Sequence, residues 1–318
     1  MGFYDIFNGD ADGLCALQQL RLETPLAATL VTGTKRDIAL LDRVDAGRGD
    51  RLTVLDVSMK ANAAGLRRAL AAGASVRWFD HHEAGDVPVD ARLEAHLDFA
   101  SGICTSLIVD RHLAGRFRGW AVAGAFGDNL ADSARAAAEE RGFDAQEIEI
   151  LKCVGECLNY NAYGEHVEEL TFHPAELHRR LAPFRDPLEF ARRDDAIAIL
   201  DEARQRDLAQ AIAVEPALDS PAATAFILPD AAWSRRVSGT MANQLATVYP
   251  SRATAVLTPS QGTYTVSLRA PRNHPRGAEL LARAFGGGGR AAAAGINGLP
   301  EGDVARFLDA FRDAFTSA

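Results

Sequence analysis

The chain has 318 residues, 47% of them hydrophobic, and 43 acidic against 34 basic side chains, for a net charge of −9. That length and apolar content suit two cores of moderate size, and the negative balance speaks against a protein that coats long nucleic acid through bulk electrostatics. No apolar run reaches the roughly 18 residues of a membrane span. The opening MGFYDIFNGDADG, acidic already at Asp5, has no positively charged leader segment, so a cytoplasmic protein without a membrane partner is expected. Four scattered cysteines, Cys15, Cys104, Cys153 and Cys157, suit a reducing compartment, and the last two share a helix face as a reduced pair. Charge is uneven. From residue 221 on, ten Lys and Arg stand against six Asp and Glu, a net of +4, which leaves −13 on residues 1–220. Carboxylates in the first part suit cations, and arginines in the second suit an anion.

In chain order, YDIFN, AATLVTG, LTVLDVS and SVRWFDHH read as strands, with GLCALQQLRL and ANAAGLRRALAAG between them as amphipathic helices. The alternation predicts an α/β domain, a mostly parallel sheet flanked by helices, whose ligands gather at the carboxyl ends of the strands. AVAGAFGD reads as a further strand, ending at Asp128. Residues 130–215 are helical in pattern, interrupted by LNYNAYGE and by Pro174, Pro183 and Pro187, with a charged connector helix around 185–212. A second, smaller α/β domain follows, with AFIL, TAVL and TYTVSLRA as strands and GAELLARAF and GDVARFLDAFRDAF as helices. The expected divisions are 1–185, 186–219 and 220–318.

Asp10 and Asp12 follow the first strand, and strand positions i and i+2 share a face. Gly9 and Gly13 permit a tight turn there. Capping accounts for one such motif, but Asp56, Asp80-His81-His82 and Asp128 repeat it at other expected strand ends. Adjacent carboxylates repel unless a cation lies between them. Oxygen donors with imidazole suit Mn²⁺ or Mg²⁺, with Zn²⁺ or Fe²⁺ as alternatives. Five carboxylates and two imidazoles suffice for two ions, a device that hydrolyses phosphate esters.

FNGDADG, LDVS, FDHH and FGDN, in this order, resemble the four motifs of the DHH phosphoesterase family, and GGGRAAAAG with the preceding TVSLRAP resembles its DHH-associated domain. The family includes RecJ-type exonucleases, oligoribonucleases, cyclic-dinucleotide phosphodiesterases and manganese pyrophosphatases. The resemblance implies that Asp10, Asp12, Asp56, His81 and Asp128 are metal ligands, with Asp56 bridging two Mn²⁺ ions. It makes Asp80 a partner that fixes a histidine tautomer, and His82 a group that faces the substrate phosphate. Arg269, Gly287, Gly288, Gly289 and Arg290 would bind the substrate.

Two positions depart from the family pattern. Asn8 stands where RecJ-like members carry an aspartate, and Arg290 where the glycine string carries a histidine. Ser101, Thr105 and Ser106 either start a helix beside the metals or only cap and turn. Asn159, Tyr160, Asn161 and Tyr163 either line a cleft and stack a base or end a helix. His112, His166 and His173 lack partner spacing. The reading is a metal-dependent hydrolase of phosphoester bonds in a short nucleotide, oligonucleotide or nucleoside bisphosphate enclosed between two lobes. Long duplex nucleic acid is not expected as a partner, and a homodimer is compatible with the sequence. The rivals are a lapsed nucleotide-binding regulator and an inorganic pyrophosphatase.

Overall fold

The structure, a computed structural model, describes residues 1–316. β1 (Phe3–Phe7) leads into α1 (Ala11–Glu23), followed by β2 (Thr29–Val31), β3 (Arg51–Leu55), α2 (Ala63–Ala71), β4 (Ser75–Asp80) and β5 (Leu93–Leu97). The five strands pair in parallel in the order β2-β1-β3-β4-β5. Ile6, Phe7, Val54, Leu55, Trp78 and Phe79 are wholly buried, the near-continuous apolar reading of a parallel sheet. Each such side chain contributes about 1.5–3 kcal/mol by burial, and together they fix the register. Phe7 pairs with Leu55, and Leu55 with Phe79. Three neighbouring strands therefore end in step, and Asn8, Asp56 and Asp80-His81 emerge at one rim.

Helices α3 (Thr105–His112), α4 (Arg118–Gly127), α5 (Ala131–Arg141), α6 (Ala145–Asn161), α7 (Pro174–Leu181) and α8 (Pro187–Arg193) follow. α1 is buried from Ala11 to Leu20 and packs against α3, α4, α6 and α7. Its two buried glutamines are tied down. Gln18 Nε2 donates to the carbonyls of Leu181 and Phe184, and Gln19 Nε2 to that of Ser106.

Three sequence readings are corrected here. AVAGAFG belongs to α4, not to a strand. A short apolar run does not distinguish the two by pattern alone, and its small side chains let α4 press against α1 and α6. Asp128 is thus the C-cap of a helix. LNYN is the last turn of α6 rather than an interruption. The connector is two helices, α8 and α9 (Ala196–Ile212), because Asp194 ends the first and its carboxylate accepts the Ala196 N–H of the second.

The chain divides into a unit spanning Met1–Glu202 and one that begins at Ala203. The second unit contains β6 (Leu218–Asp219), β7 (Ala223–Ile227), α10 (Ala232–Val248), β8 (Ala253–Ser260), β9 (Thr263–Arg269), α11 (Ala278–Ala284), β10 (Gly288–Gly289), β11 (Ala293–Pro300) and α12 (Val304–Thr316). Its sheet runs β10-β11-β9-β8-β7-β6. Only β7 and β8 are parallel, and α10 makes the crossover that parallel pairing requires. Phe307, Phe311 and Phe315, one helical turn apart on α12, are buried in its core with Leu257, Leu268 and Ile296.

Cys153 and Cys157 share a face of α6 without a disulfide between them, their sulfurs 3.9 Å apart, with Asp201 beside Cys157. No helix among the described residues is long and apolar enough to cross a membrane.

Candidate metal centre

The rim of the first sheet collects the acidic side chains, and each is held by a backbone feature. Asp10 is the N-cap of α1, its Oδ1 accepting the N–H groups of Asp12 at 3.0 Å and Gly13 at 3.1 Å. Asp12, in the first turn of α1, reaches across to the start of α3. Its two oxygens accept the N–H groups of Thr105 and Ser106, each at 2.7 Å. A carboxylate suits the positive end of a helix, so α1 and α3 are tied together beside the centre. Asp56 follows β3 with φ of 57°, an uncommon left-handed conformation for a residue other than glycine. Its Oδ1 accepts the Thr105 hydroxyl at 3.1 Å. The serine and threonine that begin α3 thus support these two carboxylates directly.

His81 is the hub. Its Nε2 lies 3.4 Å from Asp56 Oδ1, 3.9 Å from Asp128 Oδ2 and 4.0 Å from Asp12 Oδ2. A cation about 2.1 Å from each donor separates neighbouring donors by about 3.0–3.5 Å. Asp12, His81 and Asp128 each offer a donor atom within 4.8 Å of the other two, and so do Asp56, His81 and His82, so these side chains could hold a divalent ion after closing by about an ångström. The neighbouring His82, whose side chain is 46% exposed, has Nδ1 at 2.7 Å from Asp80 Oδ1 and 3.9 Å from Asp56 Oδ1. Asp80 itself is fully buried, and among the described residues its Oδ2 has no hydrogen-bond partner. Asp80 therefore orients His82, leaving His81 to the carboxylates.

The electrostatics record strain that a cation would relieve. Burial pushes the Asp56 carboxyl well above its ordinary range, and Asp12 and Asp10 add to the rise. Burial also raises Asp128, to about 6, despite the pull of Lys35. His81 is driven the other way. Burial opposes its charge, yet the hydrogen bond to Asp56 and the charges of Asp12, Asp56 and Asp128 lift it to about 10. An imidazole that must hold a proton to calm three carboxylates marks a place where a metal ion would do so better.

Lys35 has no counterpart in the sequence reading. Its Nζ lies 2.5 Å from Asp10 Oδ2, 3.4 Å from Asn159 Oδ1 and 3.8 Å from Asp128 Oδ1, and 5.7 Å from the centre of the Tyr163 ring. Burial disfavours the ammonium, but Asp10, Tyr163 and Asp128 outweigh it and hold Lys35 well above the lysine range. Burial likewise disfavours the Asp10 carboxylate, yet Lys35 and the Gly13 N–H bring it below its ordinary value. Two members of the LNYNAYG cluster thus face this centre, whereas Asn161 is buried and bonds to the Phe172 backbone. The signal available in the sequence was scarcity: Lys35 is one of only three lysines in an arginine-rich chain, just past a strand end.

The expected substrate residues lie in the second unit. Arg269, at the end of β9, donates from Nε to Asn243 Oδ1 at 2.6 Å and from Nη1 to the Leu268 carbonyl. Gly287, Gly288 and Gly289 enter a tight hairpin, where Gly288 pairs with Gly295 and Gly289 with Ala294. Gly289 has φ of 145°, and a Cβ there would run into the Ala294 backbone. Arg290 closes the hairpin by a backbone N–H to the Ala293 carbonyl, and the residue is exposed.

Residues 219–317 match the DHHA1 domain family. Among solved structures, RecJ from Thermus thermophilus in complex with Mn²⁺ superposes with a TM-score of 0.65 at 18% identity, over 99% of this chain and 52% of that one. The chain thus spans about half the length of that protein. An exonuclease RecJ bound to manganese matches with a TM-score of 0.57 at 18% identity, over 98% and 89% of the two chains. A pGpG-specific phosphodiesterase, PggH from Vibrio cholerae, matches with 0.54 at 13% identity, over 100% and 99%. No curated protein sequence matches the chain.

Proposed function

We propose that this chain is a metal-dependent phosphoesterase of the DHH superfamily acting on short nucleotide substrates, a reading supported by the DHHA1 match over residues 219–317 and by the fold. The observation that carries the reading is the convergence of Asp12, Asp56 and Asp128 on His81 Nε2 at 3.4–4.0 Å, in a pocket of buried charge. These four side chains would hold the ion. Mn²⁺ or Mg²⁺ suits the oxygen-rich set, and neighbours of the same fold are solved with each. Once bound, such an ion supplies Lewis acidity and a water of lowered pKa.

The remaining steps belong to the protein. Asp80, buried, accepts from His82 Nδ1 and so holds the imidazole in one orientation, with the ring half exposed toward incoming substrate. From Nε2, His82 gives a proton to the leaving oxygen, a role typically contributing 10²–10⁴-fold. Thr105 fixes Asp56 through its hydroxyl, and the N-terminus of α3 fixes Asp12. Arg269, the Gly287–Gly289 hairpin and Arg290 offer guanidinium and backbone N–H groups suited to a phosphate. The acidic first unit disfavours long duplex nucleic acid as substrate.

The test is release of mononucleotide from the dinucleotide pApA, with phosphoadenosine phosphate and cyclic-di-AMP in parallel, in Mn²⁺, in EDTA, and with Asp56→Ala. Mn²⁺-dependent product that is lost in the variant supports the reading and ranks the substrates. Metal-dependent binding of these nucleotides with no product under any condition would establish the rival, a nucleotide-binding regulator.

A further inference from the structure

The family resemblance implies a metal ion at Asp10, but the structure has already engaged that side chain. Asp10 Oδ1 receives two backbone N–H groups, and Oδ2 receives the Lys35 ammonium. Among the described residues, the donor groups close enough to share an ion are Asp12-His81-Asp128 and Asp56-His81-His82 at this rim, and Asp10 is in neither.

Lys35 is placed there by its backbone. The turn that carries it is closed by Asp37, whose Oδ2 accepts the Thr34 N–H at 2.8 Å, while Arg43 holds Asp37 at 2.7 Å and the Thr32 carbonyl at 3.1 Å. The Lys35 N–H donates to the Ala162 carbonyl at 2.9 Å, which ties the turn to the end of α6. Gly9 allows the close approach, because a Cβ there would strike the Gly33 carbonyl oxygen. Asn8 completes the strut. It is buried, its Oδ1 accepting the Asp10 N–H at 3.3 Å and its Nδ2 donating to the Lys35 carbonyl at 3.4 Å. Both ends of the Asn8 amide are therefore used to hold Lys35 against Asp10.

We infer that the Lys35 ammonium is a built-in cation on the Asp10 side of the centre, so that the chain binds one divalent ion at the cluster around His81 and no second one at Asp10. An ammonium neutralises one carboxylate but offers no coordination position. The side chain is only 27% exposed, with Asp10, Asn159 and Asp128 around it, and a second ion at Asp10 would have to displace it against like-charge repulsion. The inference rests on the metal reading given above and deepens it.

The test is Mn²⁺ per chain after equilibrium dialysis, with low-temperature electron paramagnetic resonance to separate isolated from coupled ions. Wild type is expected to bind one equivalent and give the six-line signal of an isolated Mn²⁺. Lys35→Ala is expected to take up a second equivalent with exchange-coupled features, while Lys35→Arg, which keeps the charge, stays at one. Two equivalents in wild type would overturn the inference and leave the metal reading intact. One equivalent in wild type and also in a folded Lys35→Ala would show that Lys35 is not what excludes the second ion. No bound Mn²⁺ in wild type would sink both readings.

Discussion

Replacing Asp128 by asparagine removes one carboxylate from the centre with little change of shape, and the consequence should reverse with metal. Burial comes first in raising Asp128 from 3.8 to about 6; Lys35 and His81 oppose the rise, and Asp12 and Asp10 add to it. A rise of about two units corresponds to about 3 kcal/mol. Asp12 and Asp128 present oxygens within 4.8 Å of each other, and at an effective dielectric of about 20 that repulsion alone is about 3 kcal/mol. The sign follows from the raised value. Below pH 3.8 the group is protonated folded or unfolded and costs nothing; the penalty grows as pH rises to 6 and is full above it. At pH 8 without metal, Asp128→Asn should therefore be more stable by about 3 kcal/mol, or roughly 6–12 °C in Tm, and at pH 4 nearly equal to wild type. Mn²⁺ at 100 times its Kd adds about 2.7 kcal/mol to the wild type and much less to a variant short of a ligand, so the gap should nearly close. The assay is thermal unfolding at pH 8 in EDTA and in Mn²⁺. A variant that melts below wild type in EDTA would refute the claim that Asp128 is a strained ligand.

Three further outcomes are expected. His82→Gln should lower turnover by about 10²–10⁴-fold with bound Mn²⁺ unchanged; loss of metal would make His82 a ligand instead. His178 is buried, its Nε2 without a partner among the described residues, and burial first, then Arg21 and Arg179, lower it to about 4. The unfolded chain therefore takes up the proton first as pH falls below 6.5, and stability at pH 5 should be about 2 kcal/mol below that at pH 7.5 from this group alone. His178→Phe, beside Phe7, should flatten that dependence of the urea midpoint, and an unchanged slope would contradict the assignment. Gly289→Ala forces a side chain into the Ala294 backbone at φ of 145° and should destabilise the second unit by about 2 kcal/mol or more. Mn²⁺ binding by the first unit should persist, and a neutral effect on unfolding would contradict the hairpin geometry.

The aspartates of the centre were legible because a parallel sheet sends its strand ends to one rim. Apolar runs that stop at Asn8, Asp56 and Asp80 mark that rim without any knowledge of contacts. Asp128 was legible as a residue but not as a position. AVAGAFG is too short and too small-sided for period to separate strand from helix, and only packing against α1 and α6 decides it. The pairing of Asp80 with His82 rather than His81 depends on how the chain turns past β4, which alternation does not encode. Lys35 lies 25 residues from Asp10. Its placement depends on Gly9, Asn8, Asp37 and Ala162 acting together, a tertiary arrangement with no local signature. The glycine string was recognisable by its letters, while its hairpin required the pairing of Gly288 with Gly295.

The most direct test of the centre is the electron spin echo modulation of one bound Mn²⁺. Directly coordinated ¹⁴N from one imidazole should appear in wild type and vanish in His81→Gln, because His81 Nε2 is the nitrogen on which Asp12, Asp56 and Asp128 converge. Nitrogen coupling that survives in His81→Gln, or none in wild type, would contradict the assignment of His81 as the hub of the metal centre.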